Sequence, residues 1–169
     1  MKLIADGKAG LLYAGDRTIP CSIGKSGLIA AADKKEGDGA SPIGVWPLRG
    51  VLLRPDRVTV TLPAGLQLPW RWIRLDDGWS DGAEDPAYNC PVRHPHGFSA
   101  ERLWRDDGLY DVVVVLGYND TPPMPGAGSA IFLHCRRGEA ATEGCIAIAK
   151  EALVELLPSL VPDDAVEIR

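Results

Sequence analysis

Residues 131–150 read IFLHCRRGEAATEGCIAIAK and hold one of the chain's three histidines and two of its four cysteines. An apolar run ends on His134. Eleven residues later Cys145, preceded by Gly144, opens a second one. Two short apolar runs bounded by polar and glycine residues predict buried strands joined by a polar, hairpin-like excursion. Three readings of the thiols and imidazole stay open on the residues alone. They form a catalytic pair, belong to a metal site, or are core, since cysteine is among the most buried residue types. Neighbouring residues of a strand face opposite ways, so Cys135 turns away from His134 and does not pair with it.

Around this stretch the chain is strand-rich. DVVVVLGY (111–118) is apolar on both faces and therefore central. KLIADGKAGLLYAG (2–15) predicts a hairpin, and TIPCSIG and SGLIAAA continue in strand-like pieces. A polar, glycine-rich loop then runs into a strand at Val45 and Trp46. VLLRPD, RVTVTL and RWIRLDD are further strand candidates, and DDAVEIR closes the chain as another. KEALVELLPSL carries leucine and valine at helical spacing. FSAERLWRDD (98–107) predicts a second short helix, capped by Ser99, with Glu101 and Arg102 toward solvent. Gly78 to Gly97 reads as one long, proline-broken loop, the kind that serves as a lid. The expectation is a single domain over residues 1–169, mainly β, with mixed sheets or a sandwich and two short helices.

Composition removes several function classes. A formal charge of −5 without aromatic-basic interleaving argues against nucleic acid as a partner. No stretch approaches the apolar length of a membrane span. Asp6, Gly7 and Lys8 interrupt the N-terminal apolar run, so no signal peptide is visible, and by its own sequence the chain reads as cytoplasmic. Cys21, Cys90, Cys135 and Cys145 form no C-x-x-C unit and suit neither a zinc ribbon nor a disulfide scaffold.

A cysteine nucleophile acts as its thiolate, and a free thiol with pKa of about 8.5 supplies little of it at neutral pH. A nearby histidine corrects this as base or ion-pair partner. His134 and Cys145 stand where two neighbouring strands would bring them together. Gly144 allows close approach, so that backbone N–H groups can face an oxyanion.

HCRRGEAATEGCIAI resembles the signature of the L,D-transpeptidase (YkuD-type) family: histidine, a variable loop, then a hydroxyl residue, any residue, Gly-Cys and an aliphatic. Here Thr142-Glu143-Gly144-Cys145-Ile146 supplies the second half. ASPIGVWPL (40–48) resembles the family's upstream Thr-Pro-x-Gly-x-aromatic segment, with Ser41 for threonine and Trp46 at the aromatic position. The resemblance implies a β-rich catalytic domain and a cysteine acyltransferase acting on peptidoglycan stem peptides as donor and acceptor. It needs no metal or organic cofactor, works as a monomer, and resides in the periplasm or cell envelope. Cys145 would attack the carbonyl of an L-residue that precedes a D-residue. His134 would be its base, the N–H groups of Gly144 and Cys145 the oxyanion donors, and Thr142 the hydroxyl that sets the turn. The acyl group would pass to a diaminopimelate side-chain amine, giving a 3-3 or, from an L-Ala donor, a 1-3 cross-link, or to water.

This chain departs from the family pattern at Cys135, where glycine is frequent, at Ala147, where a polar residue is common, and in a shorter His-to-Cys loop. Glu143 puts an acid beside the nucleophile, expected to raise its pKa. Arg136 and Arg137 are candidate substrate contacts, as are Tyr118 and Asn119 after the central strand. Tyr88, Asn89, Arg93, His94 and His96 in the long loop are candidates to grip stem carboxylates. Two alternatives compete: a metal-dependent peptidase using His94, His96 and His134, and a non-catalytic module that binds cell-wall peptide.

Overall fold

The computed structural model describes residues 2–59 and 61–169. β1 (Lys2–Asp6), β2 (Leu11–Ala14) and β3 (Arg17–Ser22) form an antiparallel meander. Its first turn is held by Asp6, whose side chain accepts the Lys8 and Ala9 amides. β4 (Leu28–Ala30) leads to β5 (Ser41–Leu53), the longest strand at 13 residues. Then come β6 (Trp70–Trp72), β7 (Asp77–Ser80), β8 (Pro91–Arg93), β9 (Ala100–Arg102), β10 (Val112–Leu116), β11 (Phe132–Cys135) and β12 (Ile146–Ile148). The one α-helix among the described residues, α1 (Lys150–Leu156), runs into a 3-10 turn, and β13 (Ala165–Ile168) follows.

The strands pair in the order β10-β11-β12-β3-β2-β1-β13-β5, and β5 pairs again with β10, closing a ring of eight. β5 makes this closure by serving two neighbours. Gly44 to Pro47 lie against β13, and Leu48 to Leu53 against β10. Closure leaves these strands without a free edge, the costly feature of an open sheet. Every strand of the ring sends alternate residues to one enclosed core, among them Leu3, Leu12, Ile19, Leu53, Val112, Leu133, Ile146 and Val166.

A three-stranded sheet, β8-β7-β9, covers part of the outside. Beneath it lies a second core of Leu52, Ile73, Trp79, Leu103, Tyr110, Val113, Ala130, Phe132 and Cys145. The alternation within β10 and β11 sorts residues between the two. Val112, Val114, Leu133 and Cys135 face the ring interior, while Val113 and Phe132 face the covering sheet. Both strands are therefore buried on both faces, as their largely apolar runs predict.

Three expectations change. FSAERLWRDD forms no helix: Ala100–Arg102 is β9, paired with β7 through Trp79↔Glu101. A helix of about ten residues is marginal alone. The β7 edge offers backbone partners, and Leu103 is buried beneath it. Glu101 bonds the Tyr110 hydroxyl instead of facing water. The long loop is an ordered hairpin, β7 to β8, closed by Ser80 N–H to Cys90 O and Asn89 N–H to Ser80 O. In RVTVTL, Val60 lies outside the described residues. Leu62 opens a 3-10 turn over Leu62–Gly65, where Pro63 cannot donate to a ladder.

Candidate active site

β11 and β12 are parallel neighbours, with His134 level with Ala147. Cys145 stands two residues before Ala147 and so shares its side of the sheet with His134. Both line one cleft of about 550 Å³. The hydroxyls around Cys145 shape the turn it sits on. Thr142 Oγ1 accepts from the Gly144 N–H at 3.1 Å and donates to the Cys145 carbonyl at 2.7 Å. Ser41 Oγ donates toward the Gly144 carbonyl at 2.8 Å and accepts the Gly24 N–H. Gly144 has φ +134°, and a Cβ there would lie 2.9 Å from the Ala40 carbonyl oxygen. Only glycine fits that approach. The two motif segments, 40–48 and 142–146, thus meet at one turn.

The Gly144 N–H bonds the Thr142 hydroxyl, and the Cys145 N–H has no acceptor among the described residues.

His134 is buried, and its Nδ1 lies 2.8 Å from the Cys135 carbonyl oxygen. A carbonyl only accepts, so Nδ1 carries the proton and Nε2 the lone pair. Tyr110 packs edge-on against the imidazole at 5.3 Å. Burial lowers the His134 pKa to about 4 and raises that of Cys145 to about 12. The resting pair is a neutral thiol and a neutral imidazole. The Cys145 thiol donates to the Ala130 carbonyl at 3.2 Å and accepts the Phe132 N–H at 3.4 Å.

Both Glu101 and Glu143 line the cleft, but it is Glu101 whose charge raises the Cys145 pKa. Glu143 is exposed and pairs with Lys25 at 2.8 Å. Glu101 lines the cleft, its pKa raised by burial, and adds to the rise at Cys145. Glu36, Asp81, Lys34, Arg105 and Arg137 also line the cleft, as does Glu143 at its rim. Asp81 Oδ1 is buried without a partner among the described residues.

Of the candidate substrate contacts, Thr142 and Arg137 line the cleft. Arg136 does not, and its charge instead reaches Cys21. Tyr118 is a core residue, bonded to the Ala127 carbonyl and edge-on to Trp46 at 4.9 Å. Asn119 braces its own loop through Met124 and Gly128. His94 packs against Gly78, and His96 bonds Asp85 at 2.6 Å. Neither lines the cleft that holds His134. No group of three metal-ligating side chains gathers among the described residues. Sequence reading gave no role to Tyr110, Glu101 or Ala130. Only Ser41 carried a signal, as the motif's hydroxyl residue.

A mainly β domain with a thiol and an imidazole on adjacent strands of one cleft falls in the class of cysteine-dependent acyltransferases. The family model of the L,D-transpeptidase catalytic domain (YkuD) matches residues 3–168, and the chain belongs to that family. No curated protein matches the chain. Among solved structures it is similar to an L,D-transpeptidase from Mycobacterium smegmatis, at 12% identity and a TM-score of 0.44, covering 99% of this chain and 58% of that one. It is also similar to L,D-transpeptidase 3 from Mycobacterium tuberculosis in complex with a faropenem-derived adduct, at 12% identity and a TM-score of 0.45, covering 99% and 59%. L,D-transpeptidase 1 from the same organism matches at 13% identity with a TM-score of 0.41, covering 99% and 60%. The chain thus spans about three-fifths of the length of these structures.

Proposed function

We propose that the protein is a peptidoglycan L,D-transpeptidase with Cys145 as nucleophile and His134 as base. The observation that carries this is the placement of both side chains in one cleft of a chain that matches the L,D-transpeptidase catalytic domain. The thiol leaves the Ala130 carbonyl and gives its proton to His134 Nε2 as sulfur attacks the carbonyl of an L-residue. The tetrahedral oxyanion faces the Cys145 N–H. Its collapse breaks the bond to the D-residue, whose amine takes the proton from His134. The acceptor amine then attacks the thioester, passes its proton to Nε2, and releases the Cys145 thiol.

An imidazole lowered by burial to about 4 is unprotonated at neutral pH, so its Nε2 lone pair is free to accept the thiol proton. It is a weak base for a thiol near 12, so the transfer accompanies attack and does not precede it. Arg137 and Thr142 are the cleft residues of the sequence-derived set, and we assign them to the stem peptide. The donor is the third residue of the stem, giving a 3-3 link, with water as a competing acceptor. The chain works as a monomer on the cell envelope. No helix among the described residues is long and apolar enough to cross a membrane.

The test is mass spectrometry of muropeptides incubated with wild type and with Cys145→Ala. Cross-linked dimers made only by wild type support the reading, and their fragmentation identifies the donor bond. Identical products from both proteins would overturn it.

A further inference from the structure

The covering sheet and the nucleophile are joined through one buried side chain. Asn89 lies in the β7–β8 hairpin with φ +55°, a backbone region that asparagine tolerates better than most residues. Its Oδ1 accepts two hydrogen bonds, from Trp79 Nε1 at 2.9 Å and from the Ala130 N–H at 3.0 Å. Its Nδ2 donates to the carbonyls of Tyr118 and Asn119 at 3.0 and 2.8 Å. All the side chain's polar atoms are used, although no part of it lines the cleft. Ala130, at the other end, is itself held at φ +53°. For a residue with a Cβ this conformation is costly and needs outside support. The carbonyl of Ala130 is the one that accepts the hydrogen bond of the Cys145 thiol.

We propose that Asn89 is a positioning residue for the nucleophile. It clamps Ala130 in its left-handed conformation so that the Ala130 carbonyl and the Phe132 N–H fix where the Cys145 sulfur rests. The proposal rests on Cys145 being the nucleophile. It gives the covering sheet a second part in the reaction, beside the Asp81 and Glu101 side chains it adds to the cleft. Ala130 sits two residues before the strand that carries His134, so the clamp sets sulfur and imidazole against a common frame.

The test is alkylation of the full chain by iodoacetamide across pH, read cysteine by cysteine by mass spectrometry, for wild type and Asn89→Gly. Glycine keeps φ +55° without strain, so the change removes the side chain and little else. Losing the carbonyl acceptor eases ionisation of the thiol. Cys145 alkylation is expected to become about fivefold faster at a fixed pH, the factor carried by one ordinary hydrogen bond. Its profile moves to lower pH. Cys21 and Cys135, in the ring interior, stay as slow as in wild type.

With stem peptide as substrate, kcat falls about tenfold or more while KM holds, because the sulfur is misplaced and the cleft lining is intact. Adding Ala130→Gly restores most of the wild-type profile, since glycine holds φ +53° unaided. If Asn89→Gly does not fold, Trp79→Phe removes one of the two donors to Oδ1 and shows the same shift, smaller and confined to Cys145. Equal acceleration at all three cysteines, or an unmoved Cys145 profile, overturns the proposal. Turnover retained by Cys145→Ala would instead overturn the nucleophile assignment beneath it.

Discussion

Cys135 ends β11 and Cys145 stands directly before the neighbouring β12, and by most local measures the two are alike. Both are buried, and burial raises both thiols, Cys135 to about 11 and Cys145 to about 12. Each points its S–H at a backbone carbonyl, of Val112 at 3.7 Å and of Ala130 at 3.2 Å. The difference is the side of the sheet. Cys135 faces the ring interior among Val112, Leu133 and Ile148, whereas Cys145 faces the cleft that holds the imidazole. On the proposed assignment of Cys145 as nucleophile, access to the cleft and a neighbouring imidazole distinguish the two thiols, and a depressed resting pKa does not.

The strongest break of this comparison is chemical. Cys145→Ala is expected to reduce cross-linking to background, while Cys135→Ala leaves turnover within about threefold and lowers stability by about 1 kcal/mol as a buried group is lost. Muropeptide products and thermal unfolding of the two variants check this. His134→Gln should slow turnover by about 10²- to 10⁴-fold, the range of general-base catalysis. It should leave Cys145 open to slow alkylation, which separates loss of the base from loss of the fold.

Backbone changes come next. Gly144→Ala places a Cβ 2.9 Å from the Ala40 carbonyl and strains φ, which should cost about 1–3 kcal/mol in denaturant unfolding. Thr142→Val, which removes the hydroxyl shared by Gly144 and Cys145, should cost about 1–3 kcal/mol by the same measurement.

A pH series sharpens the contrast from the histidine side. His134 titrates near 4 in the folded chain, against an ordinary value of 6.5. The unfolded chain binds that proton first as pH falls, so stability is full above 6.5 and declines toward 4. The raised thiol acts at the other end. Its contribution is full below the ordinary value of 9.0 and is lost as pH rises toward 12. Unfolding midpoints of wild type and His134→Gln should converge at acidic pH. The smallest effect belongs to the acids. Glu101→Gln should shift Cys145 alkylation to lower pH, and Glu143→Gln should leave it unmoved, because Glu143 is exposed and tied to Lys25.

How far the sequence could be read depended on how many residues made each decision. The run at Val112–Leu116 and the pair of runs around His134 and Cys145 are apolar enough that only buried strands suit them. With the flanking motif they mark the thiol and imidazole. The covering sheet is hard to read because its strands are three or four residues long, β7 contains glycine and β8 begins at proline, and β8 and β9 take their pairing from β7 alone. Glu101 reads as a surface acid until Tyr110, nine positions on, is folded against it. Asn89, placed in sequence among substrate grips, carries no local sign that all its hydrogen bonds turn inward.

The closing of the ring has a consequence during synthesis. β13 separates β1 from the first half of β5, pairing with both. On a ribosome, a nascent chain lacking Ala165–Ile168 has already made the strands of the cleft but leaves two long edges unpaired. Such edges template association with other chains. Protection from aggregation therefore arrives with the last strand of the ring. A holding factor for this protein would matter most in the seconds before that strand emerges.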